Sequence, residues 1–342
     1  AVRPAGPEPM IKTLTCCVVI VPPICGSTGT FGVIPATFTT AERVAQNAVR
    51  RPDSAAFTRS VIILVFIMGF PRSFRSSSGQ VVCLFLASRL ALLGVGLLST
   101  WLLPSGLTTQ PRNLVWHDAA PRALDIWARW DSEWFLLIAD EGYSVRDQIA
   151  DSGAVWEHWA VAGFLPLYPM LIRVLAPILG GVGAVVLISN VSLLVSLLLL
   201  RRLVRLEIDG DVGDSAAIVA CSALLLFPTS LFLSAVYSES LFLVLSIGVF
   251  VSARTGKFAS AGVLGGLATL TRPFGVLLVI PIIVEWWLRW RERKENHSDH
   301  PKIWEPIWAG LIPVALGGYM LFCHWTLGDA LAFVHHKTRW RG

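Results

Sequence analysis

Long apolar runs recur along this chain, and short loops carrying the basic residues separate them; no other feature constrains the fold as much. The runs occupy residues 80–103, 182–200, 214–235, 240–253, 258–271, 273–288 and 304–326. A helix needs roughly 20 apolar residues to cross the hydrocarbon of a bilayer. No water is available there, so every backbone N–H and C=O must be bonded within the segment, which makes helices of such runs. Composition agrees: the 342 residues are 54% hydrophobic and 15% charged, with mean hydropathy +0.63. A soluble domain lies nearer ~45–50% apolar and ~25% charged. The expected fold class is all-α, a polytopic membrane helical bundle of about seven spanning helices with a large loop, 104–163, after the first. Residues 164–180 are apolar but contain Pro166, Pro169, Arg173 and Pro177, and are expected to lie at the surface or half-inserted.

Arginine and lysine set the orientation. Arg72, Arg75, the Arg201/Arg202/Arg205 cluster, Arg254 with Lys257, and the basic run 289–294 all fall in short connections. They share the cytoplasmic side only if 258–271 and 273–288 are two arms of a hairpin. One long helix through Thr271-Arg272-Pro273 would put Arg254 and Arg289 on opposite sides, and Pro273 would break it. The hairpin places the Asp131 loop, Tyr237-Ser238-Glu239-Ser240, the Arg272 tip and the tail Asp329…His335-His336-Lys337 together on the outer side.

The formal charge of +5 does not indicate nucleic acid, because the basic residues sit beside apolar runs and form no stripe with interleaved aromatics. The six cysteines form no CxxC pair, and Cys83, Cys221 and Cys323 read as small buried hydrophobes. Residues 1–79 are rich in Pro, Gly, Ser and Thr and form an N-terminal extension of undefined role. Residues 80–342 form the membrane domain.

The polar groups that a bundle does not need are the candidates for chemistry. Asp131 stands in Trp127-Ala128-Arg129-Trp130-Asp131-Ser132-Glu133-Trp134-Phe135, a carboxylate fenced by aromatics at a membrane surface. It reads as a general base that activates a hydroxyl, or as the cap of a helix starting at Ser132. Arg129 could keep it ionised, and Glu133 is its substitute. The tryptophans could stack on a sugar ring or form the aromatic belt of a membrane interface, with Trp130 the one assigned to a site.

Glu239, flanked by Tyr237, Ser238 and Ser240, could bind a substrate hydroxyl, cap the next helix, or do both. Arg272 in Thr-Arg-Pro could clamp a lipid phosphate, snorkel to headgroups, or pair with Glu239. Asp329, His335 and His336 form a secondary substrate-binding group. Adjacent histidines without a carboxylate at fixed spacing make a metal site unexpected, and no cofactor is expected, although a divalent cation assisting a departing phosphate stays open. Arg89, inside the first run, could orient the Asp131 loop or pair with a backbone carbonyl or a polar residue such as Asn190. Gly262, Gly265 and Gly266 read as helix packing.

The segments WARWDSEWFLLIADEGYS, FLPLYPMLIRVLA, FPTSLFLSAVYSESLFLVLS, LATLTRPFG and GDALAFV occur in that order. The series resembles the PIG-V family of GPI mannosyltransferase II type, a branch of the GT-C membrane glycosyltransferases, over roughly residues 80–340. The resemblance implies a GT-C-like bundle that transfers mannose from a polyprenyl-phosphate (dolichyl-phosphate) donor, with Asp131 as base and Glu239 and Arg272 supporting it. It further implies a lipid-linked or surface glycan acceptor, a position in the cell membrane of a prokaryote or the endoplasmic reticulum membrane of a eukaryote, and a site on the non-cytoplasmic face. Helices beyond Gly342 are expected by the same likeness, and His335-His336-Lys337 departs from the Gln-containing stretch expected there. Two other classes compete: a transporter or flippase of a lipid-linked sugar, and a non-catalytic subunit. A transporter would show two related halves with broken helices, and no such repeat is present in the sequence.

Overall fold

The computed structural model describes residues 77–102, 127–128, 131–143, 148–149, 155–156, 158–295 and 304–339. Residues 70–342 form one compact unit. The N-terminal extension before residue 77, with Cys16, Cys17 and Cys25, lies outside the described residues, as do Arg129 and Trp130.

The architecture is all-helical. Nine α-helices follow in order among the described residues: α1 (Ser77–Leu102), α2 (Ser132–Glu141), α3 (Leu167–Glu207), α4 (Gly210–Leu226), α5 (Glu239–Arg254), α6 (Phe258–Thr269), α7 (Val279–Glu295), α8 (Leu311–Leu327) and α9 (Ala332–Arg339). Short 3-10 turns at His158–Gly163, Pro228–Leu233, Pro273–Leu278 and Glu305–Gly310 link them. Extended pairing among the described residues is a single two-residue antiparallel contact, Gln148–Ile149 against Val155–Trp156.

Among the described residues four helical stretches are long and apolar enough to cross a membrane: Ser78–Ser99, Gly183–Glu207, Pro273–Arg293 and Glu305–Leu327. Large apolar side chains stay on the outside of the bundle, among them Leu90 (68% exposed), Ile178 (79%), Ile307 (72%) and Trp325 (75%). In water this would be an aggregation surface; against lipid chains it needs no cover. The protein is an integral membrane protein.

Three expected segments differ in form. Residues 167–180 form a short first arm of α3, buried on one face and exposed at Val174 and Ile178 on the other. Tyr168 and Ile172 on this stretch are fully buried, and the helix bends at Gly180, whose φ of 72° lies in the left-handed region open to glycine. The expected span 214–235 is helical only to Leu226, because Pro228 has no N–H to continue the ladder and its ring restricts Phe227 to extended backbone, φ −62° and ψ 138°. The third is the aromatic run on either side of Arg129. Trp127 and Phe135 are 8% and 5% exposed and belong to the main core, where Phe135 meets Phe164, Tyr168 and Tyr237 edge-on. They are packing groups, neither a sugar platform nor an interfacial belt.

The hairpin at Arg272 is present. Chain direction reverses there so tightly that a Cβ on Gly275 would fall 2.5 Å from the backbone of Thr269. At the far end Arg289 donates to the Arg254 carbonyl, so the start of α6 and the end of α7 lie together. The glycines of α6 are contact points for the last long helix. A Cβ on Gly262 would lie 2.1 Å from the Trp308 carbonyl oxygen, and one on Gly265 would lie 2.5 Å from Ile312.

This arrangement gives the bundle two unlike ends. Arg201 and Arg205 meet Asp214, while Arg254 holds Glu207 through two bonds of 2.6 and 2.7 Å and reaches Glu285. At the opposite end, α2 starts at Ser132, α5 at Glu239, and the chain turns at Arg272.

Candidate active site

Asp131 occupies the N-cap position of α2, yet its carboxylate makes no capping hydrogen bond. Its backbone carbonyl accepts from Trp134 N–H at 3.1 Å, and its own N–H donates to the Tyr237 hydroxyl at 3.2 Å. The capping reading therefore fixes the position of Asp131 without using its carboxylate. The residue is exposed on one side. The protein wall behind it withdraws water and pushes its carboxyl above the ordinary aspartate range, while the positive charge of Arg272 pulls it back. Burial likewise raises the Tyr237 hydroxyl to about 12, and the Asp131 charge adds to the rise.

Glu239 is the first residue of α5, where an anion also faces the unpaired N–H groups of the helix start. One of its oxygens, Oε1, is ion-paired with Nη2 of Arg272, and Arg272 Nε donates to the Ser238 hydroxyl at 3.2 Å. The other oxygen, Oε2, is buried and has no hydrogen-bond partner among the described residues. Arg272 is 37% exposed, with Nε and Nη2 engaged and Nη1 without a described partner. The pairing of Arg272 with Glu239 and the helix-start position of Glu239 are thus both realised. Arg272 keeps Nη1, and Glu239 keeps its buried Oε2, without a partner among the described residues.

Asp131, Tyr237, Ser238, Glu239 and Arg272 are therefore brought together, although they are spread over 142 positions of sequence (131 to 272). The loop that presents them is tied down: Val236 N–H donates to the Trp127 carbonyl at 3.0 Å, and Leu167 N–H to the Leu270 carbonyl at 3.0 Å.

The tail follows α8, and its Phe333 packs in a second apolar cluster with Ile138, Tyr143, Val161, Tyr319 and Cys323. In the tail Asp329 accepts from Leu331 N–H at 2.9 Å and pairs with His335 Nδ1 at 2.6 Å, an arrangement that starts helix α9. The His335 partner and the Leu331 N–H hold the Asp329 carboxyl below its ordinary value. His336 lies on α9; its side chain is outside the described residues, as is that of Glu133. Among the described residues no three His, Cys, Asp or Glu side chains gather as a metal site would require.

The sequence pattern of the family described as mannosyltransferase (PIG-V) matches residues 99–287, which is more than half of the 342 residues. The chain belongs to that family. It is similar to the rat GPI alpha-1,6-mannosyltransferase 2, with 30% identity over 44% of this chain and 30% of the relative. It is also similar to the GPI mannosyltransferase 2 of Drosophila melanogaster, with 27% identity over 52% of this chain and 41% of the relative. The chain thus spans well under half the length of these relatives. No solved structure matches. The PIG-V match includes Asp131, Tyr237, Glu239 and Arg272, whereas Arg89, Asp329 and His335 fall outside it.

Two features of the site carried no signal in the sequence. The Tyr237 hydroxyl meets the Asp131 backbone across 106 residues, and Tyr168 bonds to Ser189 at 3.1 Å directly beneath the Tyr237 strip. Tyr237 stands out beside Ser238 and Glu239, and Tyr168 lies between Leu167 and Pro169, but neither setting names a partner so distant in sequence.

Proposed function

We propose that the chain carries the catalytic part of an inverting mannosyltransferase that uses a polyprenyl-phosphate-mannose donor on the non-cytoplasmic face of its membrane. The observation that carries this reading is the Asp131 carboxylate. It is fixed in place by its own backbone bonds, unspent on capping, and gathered with Glu239 and Arg272 at the end of the bundle away from the basic loops. Basic loops favour the cytoplasm, which supports an outward-facing site.

In this reaction the acceptor oxygen forms a bond to the anomeric carbon as the bond from that carbon to the phosphate oxygen breaks. The electron pair of that bond leaves with the polyprenyl phosphate, and Asp131 takes the proton of the acceptor hydroxyl. One carboxylate suffices, because a phosphate leaves without needing an acid. Arg272 offers Nη1 to the donor phosphate, and Glu239 offers Oε2 to a hydroxyl of sugar or acceptor. The names of the relatives favour a lipid-linked glycan acceptor of GPI-precursor type.

The test is transfer of radiolabelled mannose from polyprenyl-phosphate-mannose into lipid or protein, in membranes bearing the protein or its Asp131→Asn variant. Transfer by the parent and loss in a folded variant would support Asp131 as the base. Equal transfer by both would remove Asp131 from catalysis. Absence of transfer in the folded parent would favour a transporter of a lipid-linked sugar.

A further inference from the structure

Between Leu226 and Glu239 the chain is not α-helical. A 3-10 turn at Pro228–Leu233 is followed by bends through residue 238. Inside an apolar bundle such a stretch leaves carbonyls that water cannot reach, and each needs a protein donor. Side chains from three different helices supply them. Ser189 of α3 donates to the Ala235 carbonyl at 2.9 Å, and Ser240 of α5 donates back to the Leu233 carbonyl. Arg89 of α1 donates through Nη1 to the Ser230 carbonyl at 3.0 Å and to the Ser234 hydroxyl at 2.9 Å. Ser234 in turn donates to Asn190 Oδ1 at 2.8 Å, and Asn190 is itself held by its Nδ2 on the Val186 carbonyl at 2.9 Å. The strip secured this way ends in Tyr237, Ser238 and Glu239.

We infer that Arg89 is a positioning residue: from the first spanning helix it fixes the strip that carries Tyr237 and Glu239, and so sets their geometry against Asp131 and Arg272. An ionisable group at membrane depth is costly and turns to the protein interior, where it finds partners. Arg89 does so, and its planar fork serves three acceptors at once, Ser88 Oγ through Nε at 3.2 Å being the third. Nη2 is buried without a partner among the described residues, so the helix keeps a guanidinium whose donors exceed what packing requires. Ser230 and Ser234 are 5% and 2% exposed, so the guanidinium, and not bulk water, is the partner they meet. The anchoring stands on the geometry alone; its kinetic consequence rests on the transferase reading above.

The experiment combines hydrogen–deuterium exchange and transfer kinetics on the protein in nanodiscs, for the parent, Arg89→Gln, Arg89→Lys and Ser234→Ala. The expected result for Arg89→Gln is faster exchange confined to residues 228–238 and a fall in kcat on the order of 10- to 100-fold, with donor KM near the parent's, as displacement of a reacting group predicts. Arg89→Lys should recover part of both. Ser234→Ala should show the same pattern more weakly, and combined with Arg89→Gln it should add little, since both remove one link. Unchanged exchange at 228–238 in a folded Arg89→Gln protein would overturn the anchoring whatever the activity. Faster exchange with kcat at the parent's level would overturn the positioning role. If Arg89→Gln does not fold, Ser234→Ala decides by the same two readouts. A folded parent without transfer would overturn the transferase reading, and the exchange comparison would still decide the anchor.

Discussion

The two ends of the bundle use charge in opposite ways. At the basic end Arg201, Arg205 and Arg254 are each held by a carboxylate, and Arg289 is held by a backbone carbonyl. These pairs join α3 to α4 and α5, and α5 to α7, so Glu207, Asp214 and Glu285 are each taken up by an arginine. At the other end Asp131 keeps its carboxylate out of the capping bond that its position offers, and Glu239 keeps one buried oxygen unpaired. A fold gains nothing from a buried acceptor without a donor, which costs about 1–3 kcal/mol. On the proposed function, the end where Asp131 makes no capping bond and Glu239 Oε2 is unpaired is the one where a substrate completes the set.

The strongest way to break that contrast is to neutralise one carboxylate at each end. Asp131→Asn should lower transfer by about 10²- to 10⁴-fold, the usual contribution of a general base. Glu207→Gln should leave transfer per folded molecule near the parent's. Stability should move the opposite way. The Asp131 carboxyl is raised, so ionising it costs the folded state free energy as pH climbs from the unfolded value through the folded one. At neutral pH the Asn variant should therefore melt no lower than the parent, and the difference should vanish below the ordinary aspartate range. A variant that lost transfer and also melted well below the parent at neutral pH would show Asp131 to be structural.

Arg272 comes next. On the proposed function Arg272→Gln loses a charge-assisted bond to the donor phosphate, worth about 1.5–3 kcal/mol, and kcat/KM for the donor should fall by roughly 10- to 100-fold. The pH profile gives a second readout. Arg272 holds the Asp131 carboxyl down, so its removal should shift the acidic limb of activity to higher pH. A limb that stays in place would mean that the two groups are not coupled.

The middle of the bundle shows whether the ends depend on one another. Gly262→Ala places a methyl 2.1 Å from a backbone carbonyl that cannot rotate away, whereas Gly265→Ala meets only the tip of Ile312. The first should cost about 1–3 kcal/mol in thermal or denaturant unfolding, and the second less. Transfer per folded molecule should survive both. If Gly262→Ala also altered donor KM, helix spacing in the middle would be setting the site.

How far the sequence foretold this differs along the chain. The apolar runs, the hairpin at Pro273 and the gathering of Asp131, Glu239 and Arg272 follow from hydropathy, loop charge and proline chemistry, all of which are local signals. The break after Leu226 was equally local, since Pro228 stands in plain view, but the apolar run carries on through it and conceals the change of backbone. The burial of Trp127 and Phe135 was not legible, because an aromatic at an interface and one in a core have the same neighbours in sequence. The cradle around residues 228–238 was only half legible. Arg89 stood out as a charge in a span, while its serine partners are ordinary residues in apolar runs.

The smallest effects belong to pairs that hold local geometry. Arg254→Gln removes a two-bond pair with Glu207 that is partly open to solvent, and about 1 kcal/mol of stability should go with it, less at high salt. Asp329 offers a finer test at the other end. Its carboxyl is held below its ordinary value by His335 and the Leu331 N–H, so its contribution is fully present above the unfolded aspartate value and is lost as pH falls through the folded one. Amide exchange in α9 should therefore rise only in strongly acid solution in the parent, and should already be raised at neutral pH in Asp329→Ala. Transfer should respond little, because the pair holds the start of α9 and Asp329 has no role in the proposed reaction. A large loss of transfer in Asp329→Ala would bring the tail helix into the site and extend the unmatched end of the molecule beyond Arg272.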